Sequence, residues 1–178
     1  MRIWTFKNQK QYDLLLKQQF LTGDINHIKE TWPQFLEAYD WIKKFVPENN
    51  NNNNNYPIWA WNKKPDLRKK MFSDYIKSGE YLIELEVPDN LCLISDFSLW
   101  HCVLNDMVVC KWNTDASDKL YDLYKKIEVK DKAKYDVLKE KSWERIFNIK
   151  YFEAKDEYRQ VCISQIYTSQ IKSVKQLI

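Results

Sequence analysis

The 178-residue chain carries a formal net charge of +3, and 44% of its residues are hydrophobic while 30% are charged. These values are ordinary for a globular protein, and a chain of this length typically folds as one domain. The sequence contains two glycines, whereas the phosphate-binding loops of P-loop proteins, dinucleotide-binding folds and kinases need several residues without Cβ. The composition therefore excludes those three kinds of loop, and we predict a single domain over residues 1–178.

Membrane and metal sites are not expected from the composition. No apolar run approaches the roughly 18 residues that a transmembrane helix needs, and the N-terminal residues enter a strand-like pattern directly. The four cysteines form no CxxC pair, and the chain has two histidines, which argues against a metal centre. We therefore expect a soluble, cytoplasmic protein that contacts no membrane and binds no metal. The sequence does not predict an oligomeric state.

The N-terminal quarter of the chain is predicted to form a strand followed by two helices. Residues 2–6 show the strand pattern, and Asn8 with Gln11 forms a potential capping box for the first helix. That helix should end near Gly23, because glycine commonly follows a helix C-terminus. Thr31 is the expected cap of the second helix.

The middle of the chain is predicted to contain a loop and three strands. The seven asparagines at 49–55 favour an exposed, mobile loop because they carry no apolar group to bury. A strand follows at 56–61. Residues 81–87 alternate between apolar and acidic side chains, and residues 91–94 are apolar throughout, so the two runs are typical of a hairpin.

The remainder of the chain is predicted to be helical until a late strand. Asp96 starts one helix, residues 120–127 form another, and Ser142 is the expected cap of a further turn. Residues 159–166 form a strand, and residues 171–177 close the chain. Strands at both ends with helices between them favour an α+β fold, with a mixed or antiparallel sheet and flanking helices.

Aromatic and basic residues are concentrated between residues 59 and 70. Trp59 and Trp61 offer stacking faces, and the basic residues after them would add charge, which is how single-stranded nucleic acids are commonly held. The alternative is a solvated loop with both tryptophans in the core. The basic residues expected to contact an acceptor are Lys63, Lys64, Arg68 and Lys69.

Two pairs of ionisable residues are candidates for catalysis. Glu84 and Glu86 share one face of a strand and could act as a carboxylate pair, although the exposed face of an edge strand shows the same pattern. Asp96 and His101 are five residues apart on a predicted helix, so they do not share a face well. A hydrolase that uses Asp96 and His101 would depend on long-range contacts.

Several segments resemble those of a bacterial family of unknown function, and together they cover most of the chain. They are Trp4-Thr5, Ala38-Tyr39-Asp40-Trp41, Pro57-Ile58-Trp59-Ala60-Trp61, Lys64-Pro65-Asp66-Leu67-Arg68, Glu84-Leu85-Glu86-Val87-Pro88, Ser95-Asp96-Phe97 with Trp100-His101, Leu104-Asn105, and Ser142-Trp143-Glu144-Arg145-Ile146-Phe147.

The order of these segments also resembles small ADP-ribosyltransferase domains. Such domains begin with a strand bearing His or Arg, carry an aromatic strand in mid-chain, and close with a strand that opens on an acidic residue. The resemblance places Arg2, the strand 56–61 and Gln160 at these three positions. Phe20 and Leu21 stand where the family has a turn glycine. Gln160 is neutral, so it can hydrogen-bond a ribose hydroxyl but cannot stabilise positive charge as a carboxylate does.

The resemblance implies an NAD-dependent ADP-ribosyltransferase-like protein that acts on nucleic acid or protein. Its implied catalytic residues are Arg2, Glu144 and Gln160, and its implied NAD-binding residues are Thr5, Trp59 and Arg145. The alternative is a non-enzymatic module that binds nucleic acid or a protein partner.

Overall fold

The computed structural model describes residues 1–47, 56–110, 115–151 and 159–177, with backbone alone at residues 115–117 and 149. The chain forms two compact units, of which the first comprises Met1–Ile94 with Arg159–Ile178 and the second comprises Ser95–Tyr158. The predicted single domain stays a prediction, and the loop predicted at 49–55 lies outside the described residues.

Eight strands are described, and most of them form one sheet. They are β1 (Arg2–Lys7), β2 (Phe20–Thr22), β3 (Ile58–Trp61), β4 (Tyr81–Glu86), β5 (Leu93–Asp96), β6 (Arg159–Ile163), β7 (Gln165–Tyr167) and β8 (Ile171–Gln176). Six strands lie side by side in the order β5-β6-β3-β1-β4-β8, and β2 pairs with β7. The pairs β6–β3, β3–β1, β1–β4 and β4–β8 are antiparallel.

Seven α-helices occur in the described ranges and complete the predicted α+β fold. They are α1 (Gln9–Gln18), α2 (Ile25–Thr31), α3 (Leu36–Lys43), α4 (Ser73–Lys77), α5 (Phe97–Leu104), α6 (Asp115–Lys130) and α7 (Lys132–Trp143). The capping box of α1 is confirmed, since Asn8 Oδ1 accepts from the Gln11 amide at 2.9 Å. Asp96 caps α5 as predicted, because its Oδ1 accepts from the Leu99 amide at 2.9 Å.

The two faces of the sheet differ in chemistry. On one face, aliphatic side chains from four strands pack with Leu15 of α1 into a buried core, which includes Ile3, Ile58, Ile83, Leu85, Val161 and Ile163. The residues between them point the other way, because side chains alternate along a strand. That second face carries tryptophans and polar groups, and it contains the candidate site.

The predicted hairpin between residues 81–87 and 91–94 is wrong. Strand β4 has β1 on one side and β8 on the other, and β5 lies at the far edge of the sheet beside β6. The chain N-terminus is fixed next to β4, where the Met1 ammonium donates to Val87 O at 2.6 Å and to the Asp89 carboxylate at 2.7 Å. Both hydrogen-bonding edges of β4 are therefore used by strands distant in sequence.

Gly23 does not end the first helix. Helix α1 stops at Gln18, and Gln19 adopts the left-handed conformation with φ 67°. Gly23 instead forms an isolated antiparallel bridge with Tyr56. A Cβ at position 23 would lie 2.3 Å from Tyr56 O and 2.6 Å from Tyr56 C, so the close approach of two backbones requires glycine here.

Two predicted helix caps are also wrong. Thr31 is the last residue of α2, which begins after Asp24, whose Oδ1 accepts from the Asn26 amide at 2.9 Å. Ser142 lies inside α7, where its hydroxyl donates to Lys139 O at 2.6 Å and accepts from the Val109 amide at 2.9 Å. The Ser142 hydroxyl thus serves a tertiary contact that sequence spacing does not reveal.

Lys7, at the end of β1, should make the free energy of unfolding change with pH in the alkaline range. Burial lowers the pKa of Lys7 to about 8, against the opposing effect of Glu80. Between about pH 8 and 10 the unfolded chain therefore holds more protons at this residue, so folding is favoured as pH rises. We expect the free energy of unfolding of wild type to increase, relative to that of Lys7→Met, by up to about 3 kcal/mol from pH 7 to 10.

Urea unfolding of both proteins, followed by tryptophan fluorescence at several pH values, measures this difference. The comparison with Lys7→Met cancels the titration of tyrosines and cysteines, which both proteins share. A difference that stays constant over the range would contradict the shifted pKa of Lys7.

Candidate functional site

One lateral row of side chains crosses the second face of the sheet. The strand register pairs Gln160 with Trp61, Trp61 with Trp4, and Trp4 with Glu84, and it pairs Glu84 with Ser173. Directly paired residues of antiparallel strands point to the same face, with Cβ atoms about 4.5–5.5 Å apart. We call these five residues the Trp4 row.

Two polar atoms of the Trp4 row are buried without a hydrogen-bond partner in the described part of the chain, namely Gln160 Oε1 and Trp4 Nε1. The Gln160 residue is only 8% exposed. A buried polar atom without a partner costs about 1–3 kcal/mol, so a ligand that satisfied either atom would be bound favourably. Gln160 Oε1 would accept a hydrogen bond from such a ligand, and Trp4 Nε1 would donate one.

The Glu84 carboxylate is held at both oxygens. Arg2 Nη1 lies 3.5 Å from Oε1, and Ser173 Oγ donates to Oε2 at 3.0 Å. The Glu84 side chain is 17% exposed, whereas that of Arg2 is 65% exposed. Because β4 is not an edge strand, the alternative of an exposed edge face does not describe Glu84.

Aromatic side chains close one end of this face. Tyr75 stacks on Phe6 with ring centroids 4.1 Å apart, and the ring centroids of Phe72 and Trp61 are 5.5 Å apart. Burial raises the pKa of Tyr39 to about 12, against the opposing effect of the nearby Trp59 indole. Trp61 is buried among these aromatic side chains, on the face of the sheet opposite the aliphatic core.

Trp4 and Trp59 are both half-buried on this face. A half-buried indole keeps part of its ring surface accessible, so these two tryptophans are the ones that can stack on a ligand. Trp59 was predicted from the sequence as an NAD-binding residue, whereas Trp4 appeared there only in the family motif Trp4-Thr5.

Thr5 points to the opposite face from the Trp4 row. It is 1% exposed, and its Oγ1 donates to Trp59 O at 2.8 Å. The hydroxyl therefore links β1 to β3 from the aliphatic side. The structure brings together three of the predicted site residues on one face, Arg2, Trp59 and Gln160, but does not add the Thr5 side chain to them.

The predicted acceptor-contact residues follow β3 directly. Lys63, Lys64 and Arg68 are exposed, and Lys69 is half-buried. Arg68 donates from Nε and Nη2 to the two carboxylate oxygens of Asp66, each at 2.8 Å. The hydrogen bonds from Arg68 lower the pKa of Asp66 to about 2.

Glu144 and Arg145 lie in the second unit, whereas the other predicted catalytic and NAD-binding residues lie in the first. Glu144 is exposed. Arg145 Nη1 donates to Val109 O at 2.6 Å, and its guanidinium lies 5.6 Å from the centroid of the Tyr151 ring. The Arg145 side chain therefore contributes to the internal structure of the second unit.

The segment 106–110 is held by α7 and by Arg145, two residues after α7 ends. Trp143 Nε1 donates to Met107 O at 2.8 Å, Ser142 and Arg145 bind the two backbone groups of Val109, and buried Lys139 donates to Asp106 Oδ1 at 2.5 Å. Three residues of the motif, Ser142, Trp143 and Arg145, thus contact this segment, whereas Glu144 is exposed. The motif was visible in the sequence, but nothing there indicated that it contacts residues 106–110.

Asp96 and His101 make their described hydrogen bonds to helix α5 itself. Asp96 caps the helix, and His101 Nδ1 lies 2.8 Å from Phe97 O, one turn earlier. Asp96 is 1% exposed, whereas His101 is exposed. This arrangement gives no support to the hydrolase hypothesis.

Comparison with known proteins places the chain in a family. A family model described as Domain of unknown function (DUF3841) matches residues 2–173. The chain belongs to this family. The matched range includes every member of the Trp4 row in this DUF3841 chain, whereas the similarity to ADP-ribosyltransferases stays a hypothesis. Neither a curated protein nor a solved structure matches the chain.

No helix in the described ranges of the DUF3841 chain combines the length and apolar character that crossing a bilayer requires. Among the residues that the structure describes, no group of three or more His, Cys, Asp or Glu side chains is placed to hold a metal ion.

Proposed function

We propose that the Trp4 row binds the nicotinamide ring of NAD in an ADP-ribosyltransferase-like protein. The observation that supports this most is the pair of unpartnered buried atoms, Gln160 Oε1 and Trp4 Nε1. A carboxamide offers an NH2 donor for the first and a carbonyl acceptor for the second. Strand β3 lies between the strands of Gln160 and Trp4, so the carboxamide would complement one of these atoms at a time, and the flat nicotinamide ring suits an indole face.

Arg2 suits the pyrophosphate of NAD. Its side chain is 65% exposed and its contact with Glu84 is 3.5 Å long, and such exposed ion pairs contribute about 0–1 kcal/mol. The guanidinium can therefore leave Glu84 at little cost and bind phosphate oxygens with two parallel hydrogen bonds.

The reaction would exchange the substituent on the ribose. The bond between nicotinamide N1 and ribose C1′ breaks, the electron pair leaves with nicotinamide, and an acceptor oxygen or nitrogen bonds to C1′ and releases its proton. Gln160 would hold the leaving group by its amide. Lys63, Lys64, Arg68 and Lys69 would contact a nucleic-acid or protein acceptor, and the roles predicted for Glu144 and Arg145 stay predictions.

A binding module for single-stranded nucleic acid is the second candidate. The exposed basic residues that follow β3 favour it, because charge beside aromatic rings is a common way to hold a single strand. Binding of this kind weakens steeply as salt rises, since counterions are released. A titration of a labelled oligonucleotide between 50 and roughly 200 mM salt tests this candidate.

Replacing Gln160 with leucine separates a binding role from a structural role. Because the buried Oε1 has no described partner, Gln160→Leu is expected to retain thermal stability, while NAD affinity falls roughly tenfold through loss of one hydrogen bond to the ligand. Gln176→Leu, at an exposed position of β8, is the matched control. Calorimetric titration with NAD and a thermal unfolding scan give the two readouts.

Transfer of labelled ADP-ribose from NAD in a cell lysate tests the enzymatic part, with Arg2→Ala as its control. Label in protein or nucleic acid that disappears in Arg2→Ala supports the proposal and identifies the acceptor class. If NAD neither binds nor labels any acceptor, the proposal fails and the nucleic-acid module becomes the better explanation.

A further inference from the structure

Strand β8 forms one edge of the six-stranded sheet, beside β4, and both strands lie in the first unit. Residues 172–176 are all exposed, and in the described part of the chain no strand pairs with the outer side of β8. An edge strand of this kind is a template for a further strand. We propose that β8 binds an extended, acidic segment of a protein partner, which adds a strand to the sheet.

The ladder between β4 and β8 shows which backbone groups of β8 face outward. Leu177 N donates to Glu80 O at 2.8 Å, directly after the end of β8. In an antiparallel ladder every second residue points its N–H and C=O to the same neighbour, so the backbone groups of Lys175 also face β4. Those of Val174 and Gln176 face away from β4, where an incoming strand would pair with them.

The side chains of β8 predict what the incoming strand carries. Val174 pairs with Ile83, which is 0% exposed in the aliphatic core, yet Val174 itself is 37% exposed at the edge. Lys175 pairs with Leu82 and lies on the other face, because side chains alternate along a strand. An incoming strand that alternates apolar and acidic side chains would cover Val174 on one face and meet Lys175 on the other.

Lys175 supplies an uncompensated positive charge at this edge. The other lysine of the strand, Lys172, lies 2.7 Å from the Glu86 carboxylate, and Glu84 lies 3.5 Å from Arg2. Lys175 has no ion pair among the described residues, and the sequence of β8 contains no acidic residue. An acidic side chain opposite Lys175 would therefore form an ion pair without displacing an existing one.

The lysines of β8 disfavour a second copy of the chain as the occupant. Two copies of β8 paired edge to edge would bring four lysines and no acid into one two-stranded ribbon, where like charges repel. Lys172 is also an extra residue in the ladder, since Glu84 pairs with Ser173 while Leu85 pairs with Ile171. Edge lysines and such irregularities hinder pairing between copies, whereas the lysines attract an acidic segment.

Fluorescence anisotropy tests the charge preference with a labelled peptide that is as long as β8 and alternates valine with glutamate. Wild type should bind this peptide about tenfold more tightly than the corresponding peptide of valine and lysine. Lys175→Glu should abolish the preference, because it places a carboxylate where the ammonium stood. Lys64→Glu is the matched control and should keep it, since Lys64 follows β3 and two strands separate β3 from β8.

Val174→Pro tests pairing through the backbone. Proline removes the outward-facing N–H but leaves the hydrogen bonds to β4, and edge strands accept proline at such a position. Affinity for the acidic peptide should fall by at least about tenfold in Val174→Pro. Val174→Thr keeps the N–H and a β-branched side chain, so it should bind within about threefold of wild type. Thermal unfolding scans of both variants check that the fold is retained.

Several results would overturn the proposal. They are that neither peptide binds wild type, that both peptides bind equally, or that Val174→Pro and Val174→Thr bind the acidic peptide alike. If wild type sediments as a dimer that Val174→Pro dissociates, the occupant of the edge is a second copy and the acidic partner is wrong. If Val174→Pro does not fold, the preference measured in Lys175→Glu decides: its loss supports the acidic partner, and its persistence contradicts it.

Discussion

Gly23→Ala is expected to destabilise the protein by more than about 2 kcal/mol. The new Cβ would lie 2.3 Å from Tyr56 O and 2.6 Å from Tyr56 C. Both are backbone atoms, so relief requires the bridge between Gly23 and Tyr56 to open rather than a side chain to rotate. Forcing atoms into a packed site typically costs about 1–3 kcal/mol or more.

Gly79→Ala is the matched control for this substitution. Gly79 has φ +66°, but the nearest atom to its Cβ would be Leu177 O at 3.5 Å, so the left-handed conformation is the main cost, at about 1–2 kcal/mol. Denaturant unfolding at pH 7 should rank Gly23→Ala as the less stable variant. The reverse order would show that the close backbone approach at Tyr56 is not maintained.

Trp143→Ala is expected to lower the free energy of unfolding by about 3–5 kcal/mol, in line with truncation of a buried aromatic residue. Trp143 is 2% exposed, and its Nε1 donates to Met107 O at 2.8 Å. Trp143→Phe should lose less, about 1–3 kcal/mol, because it keeps most of the packing but leaves the Met107 carbonyl without its donor.

Glu144→Ala provides the control at the next residue. Glu144 is exposed, so its replacement should change stability by no more than about 0.5 kcal/mol. Denaturant unfolding of the three variants measures the series. Equal losses in Trp143→Phe and Glu144→Ala would contradict the hydrogen bond between Trp143 and segment 106–110.

Local chemistry was enough to predict several elements. The capping box of Asn8 and Gln11 and the cap at Asp96 depend on side chains and backbone within one helical turn, and both are confirmed. The alternation in 81–87 predicted that Ile83 and Leu85 are buried, because side chains of a strand alternate between its faces. Membership of a family of unknown function was likewise predicted and is confirmed over residues 2–173.

Single residues of the candidate site could be predicted from the sequence, but their arrangement could not. Arg2, Trp59 and Gln160 were singled out separately, and the structure places them on one face. For Glu84, the sequence suggested a catalytic carboxylate pair with Glu86, not a position beside Trp4. The sequence contained no signal that Trp4 lies directly between Trp61 and Glu84, since that neighbourhood exists only in the register of three strands.

Features with a local cause could be predicted from the sequence, namely the caps at Asn8 and Asp96, the alternation of β4 and the composition that excludes glycine-rich phosphate loops. Tertiary structure decided strand order, and with it the failed hairpin of β4 and β5, because either edge of a strand can pair with any strand of suitable register. It also decided why Gly23 is glycine and what Ser142, Trp143 and Arg145 bind. Those contacts join residues more than 30 positions apart in the chain, so the sequence around each residue does not indicate them.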